Sequence, residues 1–159
     1  MKRLLRMTYT LPVFINLGRV LFAISRVSWM EPISLRLARM FARTVHFAFG
    51  RRQVSGPEAL AQEWNRLMPE PRSCFPVVDV EGETAFVEIR IHCPLRGSGD
   101  AEACWRSMEF DRALMEASGG KLVVMESQAV TGGTCCTLAI RGHDQTLDDL
   151  PVAHPRWRT

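Results

Sequence analysis

Acid is almost missing from the first third of this chain. Residues 1–52 contain ten Lys and Arg but a single carboxylate, Glu31, a local balance of +9. Residues 53–159 hold ten basic residues and sixteen acids, a balance of −6, so the net +3 at pH 7 conceals two oppositely charged regions. Such lopsidedness calls for an anionic partner: a membrane, a nucleic acid, or the acidic remainder of the same fold.

Other absences remove whole classes of function. There is no phosphate-binding loop, no dinucleotide-binding glycine pattern and no serine-hydrolase elbow. There is no repeat and no low-complexity tract. The apolar run Leu11–Ile24 covers 14 residues and is interrupted by Arg19. A membrane-spanning helix needs about 20 apolar residues, so this run suits an interfacial or core helix instead. No small-residue cleavage site follows it, which argues against a secretory signal. Five cysteines, an odd number without C-x-x-C spacing, fit free thiols in a reducing compartment better than a disulfide framework or a structural zinc site. The expected location is therefore cytoplasmic, with a peripheral membrane contact through residues 1–52 as an option.

What is present suggests one domain over 1–159: a basic helical region (1–52), an α+β core (53–141) and a surface tail (142–159). Pro32-Ile33-Ser34 reads as a helix start with Ser34 as N-cap, and Leu37, Met40, Phe41, Val45 and Phe49 as its apolar stripe. Ser55-Gly56-Pro57-Glu58 reads as a capping box for a helix burying Leu60, Trp64 and Leu67, ended by Pro69 and Pro71. The period then changes. Residues 75–80 and 84–92 read as a hairpin turning at Glu81-Gly82-Glu83. Asp100 caps a predicted helix over 101–117, which Gly119-Gly120 stops. Strands over 121–130 and 134–141, joined at Thr131-Gly132-Gly133, complete a mainly antiparallel four-stranded sheet with helices on one side. This is an α+β fold.

The chemistry concentrates late in the chain. At about 100° per residue, Cys104, Met108 and Met115 share one stripe of the 101–117 helix, with Trp105 at its edge. Asp111 falls on or beside that stripe, where a carboxylate must be paired, hydrogen-bonded or raised in pKa. Its expected partner at the rim is Arg90 or Arg141. Glu109 should point to solvent. Cys93 closes a strand beside a glycine-containing loop, and His92 should face away from it. Adjacent Cys135 and Cys136 should face opposite sides of their strand. Cys93, Cys104, Asp111 and one of the paired thiols could therefore converge on a helix–sheet cleft.

Together, Cys93-Pro94 after an apolar strand, Glu109-Phe110-Asp111-Arg112-Ala113-Leu114 on a helix, and Gly132-Gly133 to Cys136 and Leu138 on a closing strand form a recognisable pattern. The pattern resembles the L-2-amino-thiazoline-4-carboxylic acid hydrolase-like family of bacterial proteins over about residues 84–141. It also shares features with 4-vinyl reductase-type ligand-binding domains. The resemblance implies an α+β domain that opens a small ring at a C–N or C–S bond. Cys93, Asp111 and Cys136 would be catalytic, with Cys104, Met108 and Trp105 around the substrate. A divalent metal such as zinc is a possible cofactor. Met108 departs from the pattern, standing where a polar or thiol residue is expected. The alternative is a non-catalytic small-molecule-binding or sensor domain whose basic helices dock on a membrane or partner. Homo-oligomerisation through those helices is a further option, and nucleic acid is not an expected partner.

Overall fold

A computed structural model describes residues 16–158. Helix α1 occupies residues 16–25, and a 3-10 turn at Ser28–Met30 leads into α2 (Glu31–Ala48). Helix α2 starts before the predicted Ser34 cap. Pro32 fits its first turn, where no backbone N–H is required, so the helix begins at Glu31. Ser34 lies inside it, buried, and its hydroxyl donates to the Glu31 carbonyl at 2.9 Å.

The apolar stripe expected on α2 is also rotated. Ser34, Ala38, Ala42, Val45 and His46 face inward, while Met40 and Phe49 stay exposed. Small side chains on the buried arc allow α2 to lie close along α5, its main partner.

Helix α3 (Pro57–Leu67) buries Leu60, Trp64 and Leu67 as predicted. No capping box forms there: Gly56 is the N-cap, at φ 89°, without a side-chain cap bond. Strands β1 (Val77–Glu81) and β2 (Thr84–Ile89) form the predicted hairpin. The sheet is β1-β2-β4-β3, antiparallel throughout, with β3 at Gly120–Glu126 and β4 at Cys136–Gly142.

Two connections differ from the sequence reading. The 101–117 helix is split into α4 (Ala101–Ser107) and α5 (Glu109–Ser118) at Met108. The predicted Asp100 cap is present, accepting from the Ala103 amide at 2.8 Å, and Gly119 ends α5 in the left-handed conformation. Strands β3 and β4 are not joined by a three-residue turn. A short helix α6 (Gln128–Thr131) intervenes, capped by Ser127, whose hydroxyl accepts from the Ala129 amide.

The main core gathers Trp64 and Leu60 from α3, Leu114 and Met115 from α5, and Val87, Leu138 and Ile140 from the sheet. The tail is not confined to the surface: Leu150 and Trp157 enter this core, and the Ala153 amide donates to the Val124 carbonyl.

Candidate functional site

The break at Met108 separates the residues that the sequence aligned on one stripe. Cys104, before the break, packs with Leu95, Ala103 and Ala129 in a small second core, against which Cys93 and Met108 are partly buried. Cys136 begins β4 next to α6. These thiols gather around the Ser127–Gln128 corner. Cys104 Sγ lies 3.2 Å from Ser127 Oγ, and the Gln128 amide donates to Cys136 Sγ at 3.3 Å.

Gln128 organises this corner and was not singled out in the sequence. Its fully buried side chain accepts from the Cys93 amide at 3.2 Å and donates to the Ile91 carbonyl at 2.8 Å. It thereby supplies the chain leaving β2 with hydrogen bonds that no neighbouring strand provides there. A lone glutamine in a largely apolar strand run is the one signal the sequence offers.

The thiols are poorly prepared for chemistry. Burial pushes Cys104 up to about 11, opposed by its bond to Ser127 and reinforced by Cys136 and Cys93 nearby. Burial also raises Cys136, against the amide of Gln128. A nucleophilic cysteine reacts as the thiolate, the form that burial disfavours at both positions. Among the described residues no three His, Cys, Asp or Glu side chains are arranged to hold a metal ion, so the donor set does not fit zinc. Cys135 lies in the bend ahead of β4 rather than in the strand and is half-buried, while Cys136, the first residue of β4, is buried. His92 is exposed.

Asp111, after the break, belongs to another place. Trp64 Nε1 donates to its Oδ1 at 3.0 Å, so its partner is an indole rather than Arg90 or Arg141. Arg90 pairs with Glu88, and Arg141 with Asp149 and Thr84. Burial drives the Asp111 carboxyl up to about 6, opposed by the Trp64 bond and the Arg112 charge. Asp111 opens on a half-enclosed cavity of about 140 Å³ between α1, α2 and the α4–α5 pair. Leu21, Phe22, Ala38, Phe41 and Phe110 make its walls largely apolar, with Ser25, Ser34 and Arg106 as polar points. None of the thiols lines it.

Trp105, expected beside a substrate, is engaged by the fold. Arg156 lies 3.6 Å and Arg112 4.2 Å from its ring centroid, and its Nε1 donates to the Arg156 carbonyl at 3.1 Å. Glu109 is not a surface acid: it is 2% exposed and bridges Arg39 and Arg112. Buried Arg106 donates to the Ser25 carbonyl at 2.6 Å and faces Glu31 and Glu102. Its burial next to the cavity was not anticipated from the sequence.

No family model, curated protein or solved structure matches this chain.

Proposed function

We propose that this chain binds a small molecule, about one ring in size, in the Asp111 cavity. The observation that carries this reading is a carboxyl held near pH 6 at the wall of an apolar cavity of about 140 Å³. A dry apolar cavity of about 150 Å³ takes up a molecule such as benzene. Asp111 adds a hydrogen-bond acceptor, which favours a ligand with an N–H or cationic nitrogen on one edge. The thiol corner is structural in this reading: the Cys104 and Cys136 sulfurs are buried and hydrogen-bonded within the fold. Unpaired cysteines throughout favour a cytoplasmic setting.

The test is a thermal-shift and calorimetric titration with L-2-amino-thiazoline-4-carboxylate and single-ring heterocycles that carry a ring N–H. Ala38 lies on the cavity wall, so Ala38→Leu should fill it. Ligands should raise Tm for the wild type and for Cys136→Ser, but not for Ala38→Leu. If Ala38→Leu keeps its circular dichroism and still binds as well, the site is elsewhere.

A hydrolytic reading rests on Asp111 alone. A carboxyl near 6 is suited to take a proton from water at neutral pH. With a thiazoline substrate, Asp111→Asn should then lower kcat by at least about 100-fold while ligand binding survives. Full turnover by Asp111→Asn would refute this reading and leave a binding protein.

A further inference from the structure

Helix α2 carries a second surface that the Asp111 cavity does not use. Its inner arc is bound to the fold through Ala38, Ala42 and Val45. Its outer arc, about 140° wide, holds Ile33, Arg36, Arg39, Met40, Arg43, Thr44 and Phe47. The large apolar members are out in water: Met40 is 61% exposed, Phe47 60% and Ile33 47%. Trp29, just ahead of the helix, is 76% exposed. Arg36, Arg39, Met40, Arg43, Thr44 and Phe47 line a shallow groove of about 430 Å³.

The charge on this arc has one sign. No acid occurs between Pro32 and Arg52. Glu31 turns away to Arg156 and Arg106. Arg39 is held by Glu109 and Glu116, but Arg36 and Arg43 meet no acid among the described residues. Arg51 lies 4.3 Å over the Phe47 ring and extends the cationic surface. Residues 1–15 add Lys2, Arg3 and Arg6 without an acid, so they cannot neutralise it.

We infer that the outer face of α2 docks on an anionic lipid surface, with the helix lying in the plane of the interface. Arginine alternates with bulky apolar residues along the face. Arginines meet headgroup phosphates while Ile33, Met40 and Phe47 enter the acyl boundary, which is how amphipathic interfacial helices bind. A nucleic acid would satisfy the arginines but leave the apolar residues uncovered. A second copy would set cation against cation. The 18 residues of α2 give a footing about 27 Å long. None of the described helices is long and apolar enough to cross a membrane. This inference is independent of the Asp111 reading.

The test uses the full chain and vesicles of phosphatidylcholine alone or with one-third phosphatidylserine. Co-sedimentation should occur only with the anionic vesicles and weaken as salt rises. Arg36→Glu/Arg43→Glu should weaken it by at least about 25-fold, at roughly fivefold per lost positive charge. Met40→Asp should weaken it with an unchanged circular dichroism spectrum. Trp29 provides an internal reporter, because Trp64, Trp105 and Trp157 are buried. Its emission should shift to the blue on anionic vesicles, and Trp29→Phe should remove that shift while retaining most of the sedimentation. Binding equally tight to neutral vesicles, or unaltered in the arginine pair variant, would overturn the inference. So would absent vesicle binding, a nucleic-acid complex that depends on these arginines, or a dimer that Met40→Asp dissociates.

Discussion

Asp111 shows how much a single side chain depends on where its neighbours end up. Its carboxyl titrates near 6 rather than at the ordinary 3.8 because burial penalises the ionised form more than Trp64 and Arg112 support it. The sign of the consequence follows. Above pH 6 the folded chain carries a disfavoured carboxylate. Between about 6 and 3.8 the folded state takes up a proton that the unfolded chain does not yet bind, so this group makes the protein more stable as pH falls. Below 3.8 both states are protonated and the effect is spent. An asparagine in place of Asp111 would keep an acceptor for Trp64 without the charge. Asp111→Asn should therefore be more stable than wild type at pH 7.5, by on the order of 1–2 kcal/mol, with the difference gone by pH 4. Urea unfolding at the two pH values measures it; an Asp111→Asn variant less stable at pH 7.5 would contradict the assignment. Glu109 is the opposite case, a carboxylate that stays buried because Arg39 and Arg112 both reach it. Asp111 was legible as an unusual acid from its stripe position. Glu109 was not: Arg112 lies one turn along the same helix, but its second partner, Arg39, is 70 residues away.

At the scale of elements, most of the punctuation was readable. The Asp100 cap, the turn after Glu81 and the Gly119-Gly120 stop all depend on local backbone chemistry. Gly120 carries more than a stop signal. A Cβ there would come within 2.9 Å of both the Arg141 carbonyl oxygen and Leu60 Cδ2, because α3 and β4 close on the first residue of β3. Gly120→Ala should cost about 1–3 kcal/mol, the usual range for overpacking. Chemical denaturation measures it, and a neutral outcome would show that the α3–β3 contact yields easily. The elements misjudged were those whose phase or extent depends on tertiary contact. One continuous helix over 101–117 would have kept Cys104 and Asp111 on one stripe. The break at Met108 sends Cys104 toward Ser127 and Asp111 toward Trp64.

For the whole molecule, the C-terminal segment matters more than its polar, proline-broken sequence suggests. Trp157 is buried in the main core, with the Arg112 guanidinium 4.7 Å from its ring. Arg156 joins Glu31 at the head of α2 to Glu102 on α4. Trp157→Ala should therefore destabilise the entire fold by about 3–5 kcal/mol, as large aromatic truncations in cores do. A single cooperative urea transition at lower midpoint is the expected result. Loss of only a local step, with the main transition unmoved, would mean that the tail is an appendage. The charge partition was legible without any structure: a cationic first third and an acidic remainder. Part of it is consumed internally, at Arg39–Glu109 and Glu31–Arg156, and part remains outward at Arg36 and Arg43. By itself the sequence determined the α+β class, the helices ahead of the sheet and the β1–β2 hairpin, because these follow from periodicity and turn chemistry within a few residues. Only the tertiary structure decided which arc of α2 is buried, that Asp111 parts from the thiols, and that Glu109 and Arg106 lie inside. Those outcomes depend on partners distant in the chain, whose desolvation and pairing no local pattern encodes.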